Sequence, residues 1–458
     1  VHTVRIGAGQ GFYGDTLSSA LDMARLGNVE FICCDALSEL TLAILQKDRQ
    51  ADPSAGYTRD LPAWCKQLLP LCRERNIKLI TNAGGLNPSG AAAAIAPYAS
   101  GMRVAIVRGD DVLDRLAASE GEHEAASRWE HQSTGQPLRL ISPERRLFAC
   151  AYLGASPIVQ AFEQGADVVI TGRVADSALF LAPAVWRLGW SWDDWDRLAA
   201  GTVMGHILEC SGQASGGNFS GDWQAVPEPW RLGYAIGEIS EDGGLIITRP
   251  VGTGGIVTSA TVSEQLLYEV QNPFDYIAPD VRVDLGEVEL IDEGPDRVRV
   301  RGVRGRPRPE QLKIVVGYRD GWMGESRLGY CWPQALAKAR HAATMLRERF
   351  AAAALPLEDT WFEYQGWDSL YCADPLADES ALHEVYLRVA VRTAERATAE
   401  RAVREIPYLG LNGPPGVGGF GGITPPRELL GMWPTLIDRR LVEARVQVEV
   451  REAAAWRA

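Results

Sequence analysis

The segment Val4–Thr16, VRIGAGQGFYGDT, restricts the fold more than any other: a short apolar run, four glycines within eight residues, then an amphipathic helical pattern. It predicts a strand, a bare turn and a helix, because glycine serves where the backbone takes positive φ or where another group approaches closely. Gly9–Gly14 fits GxGxxG, and a second apolar run, Val29–Cys34, ends in Asp35, 21 residues after Gly14, near where dinucleotide folds carry a ribose-binding acid. Asp15 opposes that reading, because it stands at the helix N-terminus where an acid would repel a pyrophosphate. Asp15 reads as a helix cap and, with Gly11, as a candidate substrate contact.

The same grammar recurs. Strands are predicted at 3–7, 29–34, 77–81, 103–107 and 166–171, and helices at 15–26, 36–47, 60–75, 89–100 and 110–119. Two helical stretches are expected between Leu153 and Asp176, and another over Ser191–Glu209. The alternation predicts α/β architecture: a doubly wound, mostly parallel sheet over residues 1–210, followed by an α+β domain over 211–458 with a mixed or antiparallel sheet. Turns that follow parallel strands gather at one sheet edge, so Gly9–Asp15, Asp35, Thr81–Gly90, Arg108–Asp110 and Thr171–Ser177 are expected to converge. After Cys210 comes a glycine-rich polar loop, Ser211–Trp223, and from Tyr234 the pattern turns to hairpins, beginning with Tyr234–Ile239 and Leu245–Thr248.

A chain of 458 residues exceeds one ordinary core, hence the two-domain expectation. Its formal charge of −13 disfavours nucleic acid as a partner, and no apolar run is long enough to span a bilayer. No signal-peptide pattern is read at Val1, so a cytoplasmic location is expected, and size favours a homo-oligomer. The eight cysteines, Cys33, Cys34, Cys65, Cys72, Cys150, Cys210, Cys331 and Cys372, lack CxxC spacing and read as reduced thiols, and the six histidines form no HExxH or HxH motif.

Six segments, IGAGQGFYGDT, TNAGGLNP, ADVVITGRVADSAL, HILECSGQASGGNFSGDW, GTGGIVTSATVSEQLLYE and VRGRPRP, follow one another in an order that resembles the acyclic terpene utilisation (AtuA-like) family over nearly the whole chain. The resemblance implies a catabolic role on acyl-CoA thioesters of terpenes and branched acids, without fixing a reaction. Many members carry a C-terminal domain resembling a ferredoxin-like fold, so a separate small ferredoxin-like subunit is an expected partner.

Read for chemistry, His206 and Glu209 stand three apart and share a helix face as an acid/base pair. With Asp176 and Asp222 they are the candidate catalytic residues. The carboxylates of Asp15, Asp35, Asp176, Glu209 and Asp222 could instead gather a hard cation such as Mg²⁺, the metal otherwise being unknown. Candidate substrate-binding groups are Gly11, Asp15, Asn82, Gly84, Gly85, Asn87, Gly216, Gly217 and Asn218, some offering N–H donors to an enolate oxygen. Arg173, with Arg304, Arg306 and Arg308, is a candidate for the phosphates of coenzyme A as part of the substrate, the last three reading rather as a solvated loop. The expected function is a lyase, a hydratase/dehydratase or C–C lyase, removing a proton next to a carbonyl of a small-molecule acyl-CoA. The alternatives are an NAD(P)-dependent oxidoreductase using Gly9–Gly14 and Asp35, and a non-catalytic assembly subunit.

Overall fold

The computed structural model of the protein describes residues 2–119, 129–371 and 378–456; Cys372 lies outside them. In chain order the elements are β1 (Thr3–Gln10), α1 (Leu17–Leu26), β2 (Phe31–Cys34), α2 (Glu39–Ala51), α3 (Leu61–Arg75), β3 (Lys78–Thr81), α4 (Pro88–Ile95), β4 (Arg103–Arg108), α5 (Leu113–Ser119), β5 (Arg146–Ala151), α6 (Ser156–Glu163), β6 (Val168–Thr171), α7 (Ala178–Leu188) and α8 (Trp195–Leu208). They continue with β7 (Ile236–Ser240), β8 (Leu245–Thr248), α9 (Ser259–Leu267), β9 (Tyr276–Ile277), β10 (Arg282–Asp284), β11 (Glu289–Asp292), β12 (Val298–Arg301), β13 (Arg304–Arg306) and β14 (Gln311–Cys331). The last are α10 (Ala335–Ala352), β15 (Asp359–Gln365), β16 (Glu384–Thr393), α11 (Arg396–Glu405), α12 (Leu409–Asn412), β17 (Val417–Gly418), β18 (Arg427–Asp438), α13 (Arg439–Glu443) and β19 (Gln447–Glu452).

Two compact units result, and they do not divide at residue 210. The first comprises residues 1–143, 147–317 and 432–458, the second 144–146 and 318–431. The first is built on a ten-stranded sheet of order β11-β12-β8-β7-β1-β2-β3-β6-β4-β19. Its centre, β1-β2-β3-β6-β4, is parallel throughout. The five strands expected from the apolar runs are these five. The connections from β1 through β4 step one way across the sheet and the connection from β4 to β6 steps back, so right-handed crossovers send α1, α3 and α4 to one face and α6 to the other. Between β3 and β6 the following connections therefore diverge, which is the switch point where α/β sheets open a crevice beyond their strand ends.

The hairpin β7–β8 falls in this sheet and not in a separate C-terminal one: β7 runs antiparallel to β1, with Thr3 opposite Ser240 and Gly7 opposite Ile236. Local pattern identified the hairpin but not its partner, because an exposed strand edge accepts any chain that brings matching donors and acceptors. Only one helix, α6, lies between Leu153 and Asp176, where two were expected. α2 packs Leu42 and Leu45 against Phe148, Cys150, Tyr152 and Val315.

The second unit is α+β, as expected of the C-terminal part, but begins only near Tyr318. β15, β16 and the portion of β14 from Trp322 to Cys331 pair antiparallel, and α10 and α11 bury Leu336, Leu346, Phe350 and Val403 with Val385, Leu387, Val389 and Val391 of β16. Among the described residues no helix is long and apolar enough to cross a membrane.

Candidate active site

One glycine-bearing contact sets the site. α8 passes so close to the start of α7 that a Cβ on Gly205 would lie 2.6 Å from the Ser177 carbonyl oxygen. That approach sets the next residue, His206, beside the turn after β6. Glu209 caps the C-terminal end of α8, and its Oε1 lies 3.0 Å from His206 Nδ1. Both side chains are buried. The His206 ring leans on Tyr276 with centroids 5.3 Å apart, and its Nε2 is buried without a hydrogen-bond partner.

Asp176 lines the same cavity as His206 and Glu209. Arg173, buried at the end of β6, donates through Nη1 to Asp176 Oδ1 at 2.7 Å and to the Leu37 carbonyl at 2.7 Å. Its guanidinium lies 4.0 Å from the centroid of the Tyr152 ring, and Lys313 Nζ covers the same ring at 4.6 Å. The Tyr152 hydroxyl donates to Glu39, which also accepts from Lys313 Nζ at 3.1 Å. Asp176, Ser177, His206, Glu209, Tyr152 and Lys313 line one cavity of about 560 Å³, whose remaining wall includes the apolar groups Ile277, Pro279, Pro309, Leu312 and Leu436.

The electrostatics follow from burial opposed by partners. Burial pushes Glu209 up to about 7, against the pull of His206. For His206 burial disfavours the imidazolium, but Glu209, with a smaller contribution from the Leu266 backbone, outweighs it and raises the pKa. Asp176 is raised by burial while Arg173 favours its carboxylate, and Glu39 is held down at about 2 because Lys313, Tyr152 and Arg173 overcome its desolvation. Burial, with Glu209 adding to it, lifts the Cys210 thiol to about 12, so it is a poor nucleophile.

Three of the four candidate catalytic residues thus meet. Asp222 does not: it is exposed at the start of the turn Trp223–Ala225 and is absent from the cavity wall. Arg173 is no phosphate ligand, since it is buried beneath Asp176, and Arg304, Arg306 and Arg308 are paired with Asp196, Asp284 and Glu443.

The expected substrate contacts are corrected too. Asn82 is fully buried and donates to Asp35. Asn87 caps α4 and donates to the Ser54 and Ala55 carbonyls. Gly84 and Gly85 are buried against Thr171 and Leu45 and Gly216 against Val226, while the half-buried Gly217 packs on Gly212. Asn218 is exposed and lines no part of this cavity.

Asp15 is not the helix cap, which is Thr16; it accepts from Gly11 N, Thr16 N, the Ser211 hydroxyl and the Tyr234 hydroxyl. A Cβ at Gly11 would overlap Ser211, so the face a dinucleotide phosphate would need is filled by the chain itself. Asp35, the candidate ribose acid, is buried on Asn82 and the Leu37 amide. The residues present do not fit a nicotinamide dinucleotide there. Nor, among the described residues, do three His, Cys, Asp or Glu side chains come together to hold a metal ion.

Sequence reasoning missed Tyr152, Glu39, Tyr276 and the role of Lys313. The apolar runs Leu147–Ala151, ahead of Tyr152, and Ile314–Val316, after Lys313, are the strand signals that could have found them. Nothing in the pattern marked Tyr276.

What the fold and site define is an α/β protein with a cavity lined by Asp176, His206 and Glu209 beside the switch point of its sheet. The chain belongs to the family described as acyclic terpene utilisation family protein AtuA, whose profile matches residues 4–448, and this membership points to a part in acyclic terpene utilisation. A search of curated proteins returns no match.

Proposed function

We propose that the cavity is the active site of a lyase that adds water to, or removes it from, a branched acyl thioester, the substrate entering as its coenzyme A thioester. One observation carries the reading: His206, oriented by Glu209 and with its buried Nε2 unpartnered, shares a cavity with Asp176, oriented by Arg173. Two positioned proton carriers are what an elimination next to a carbonyl requires. In the dehydration direction Asp176 accepts the proton from the α-carbon, and the C–H electron pair moves toward the carbonyl oxygen. As the α–β double bond forms, the β-C–O bond breaks, and His206 Nε2 gives its proton to the departing hydroxyl, which leaves as water. Hydration is the reverse, and no reactant besides water is needed. The apolar wall of Ile277, Pro279, Pro309, Leu312 and Leu436 suits a branched hydrocarbon chain.

The test is deuterium exchange. Branched 3-hydroxyacyl- and 2-enoyl-CoA are incubated with the protein in D₂O and label at the α-carbon is followed by mass spectrometry. Exchange that disappears in Asp176→Asn and His206→Gln is expected. Binding without exchange would favour the assembly-subunit alternative, and exchange that persists in both variants would overturn the assignment.

A further inference from the structure

We infer that Asn82 and Asp35, neither of which lines the cavity, are positioning residues that fix the Asp176 carboxylate through the loop Asp35–Leu37 and Arg173. The path is continuous. Asn82 Nδ2 donates to Asp35 Oδ1 at 2.6 Å, and Asn82 Oδ1 accepts from Ala36 N at 2.6 Å. Asp35 Oδ1 accepts in addition from Leu37 N at 3.2 Å, so one amide and one carboxyl clamp three successive residues. The Leu37 carbonyl then receives Arg173 Nη1 at 2.7 Å, the same nitrogen that holds Asp176 Oδ1 at 2.7 Å. Arg173 is anchored at its other end as well, its backbone N donating to Asp110 Oδ2 at 2.8 Å.

A buried amide–carboxyl pair carries a desolvation cost that an apolar pair of similar shape would avoid. What this pair supplies is direction, because every bond it makes converges on the carbonyl that aims the guanidinium. Both residues stand at the ends of parallel strands, Asp35 after β2 and Asn82 after β3, next to the switch point between β3 and β6. They are where sequence logic looked for a ligand, and the ligand they hold is the loop behind the catalytic acid.

The inference rests on Asp176 as a working acid–base group, and its test is chosen to stand apart from activity. Protein carrying ¹³C at the Asp side-chain carboxyl is titrated by NMR, with the Asp176 signal identified by its loss in Asp176→Asn. The groups acting on this carboxyl are Arg173, Glu39 and Lys313, and Asp176 in turn acts on Asp35 and Glu209. In Asn82→Ala and Asp35→Ala the guanidinium loses its aim, and the Asp176 midpoint is expected to rise by about half a unit or more. In Asp35→Asn, which keeps both accepting interactions, it is expected to stay closer to wild type. Where exchange is measurable, Asn82→Ala is expected to lower kcat about tenfold with little change in KM, and to move the acid limb of the rate profile to higher pH. An unmoved midpoint in a folded Asn82→Ala protein would overturn the inference and leave Asn82 a stabilising residue alone. A moved midpoint without exchange in the wild type would instead remove the lyase reading and leave the positioning intact.

Discussion

In the turn after β1, Gly11 lies against the Ser211 backbone and Asp15 gives its carboxylate to two backbone amides and two hydroxyls. In the turn after β6, Asp176 is held by one guanidinium from behind and borders an open cavity. Both are glycine-containing strand-end turns with an acid a few residues on, and both belong to the sheet edge where ligands are expected. Glycine records that something approaches closely without recording what: in one turn it is the chain's own segment 209–211, in the other the Asp110 carboxyl, whose oxygens would lie 2.5 and 2.7 Å from a Cβ on Gly172. The donors around the acid tell the two apart, since a saturated carboxylate has nothing left to offer a substrate whereas a singly anchored one has.

The comparison breaks first on activity. Asp176→Asn and His206→Gln are each expected to lower the exchange rate by about 10²- to 10⁴-fold, the range for removing a positioned acid or base, while the melting temperature moves little. Asp15→Asn should do the converse, with a stability loss on the order of 2–3 kcal/mol from donors left without a full acceptor and a rate near wild type among molecules that fold. A rate collapse in Asp15→Asn at unchanged stability would reverse the assignment of the two turns. Gly11→Ala sharpens the same contrast: its added methyl meets the Ser211 backbone, so a loss of about 1–3 kcal/mol is expected by thermal or urea unfolding, with no ligand able to restore it.

Much of this was legible in the sequence, for reasons particular to each part. The five parallel strands were read because buried strands carry unbroken apolar runs, as FICC in β2 and VVIT in β6 do. The pair His206 and Glu209 was read because a spacing of three fixes a shared helix face. The pairing of β7 with β1 was not, since Thr3 and Ser240 meet across more than two hundred residues that no local pattern connects. Separation in sequence also hid Tyr152 and Lys313, which are joined where the Tyr152 amide donates to the Lys313 carbonyl between β5 and β14. Asp222 was over-read: proximity to a glycine-rich loop suggested a pocket, but an exposed loop end was the outcome.

The remaining predictions have smaller effects. Glu209 is raised by burial from 4.5 to about 7, so the folded protein holds its proton more tightly than the unfolded chain does. Stability from this group is therefore complete below about pH 4.5 and is lost as pH climbs to about 7, by up to about 3 kcal/mol. His206, also raised, acts in the same sense, its contribution present below about 6.5 and lost as pH rises through its higher folded-state value. Urea unfolding between pH 5 and 8 should show this decline in the wild type and a flatter curve in Glu209→Gln; a wild type that gains stability across that window would mean that the pair is solvated rather than enclosed. The least effect belongs to Asp222→Asn. An exposed carboxylate at the head of a short turn and outside the cavity should alter stability by no more than about 0.5 kcal/mol, with exchange within twofold of wild type. A large loss of rate there would mean that the Ser211–Trp223 loop moves to bring Asp222 over the substrate, and the division between a sealed turn and an open one would have to include a loop that changes sides.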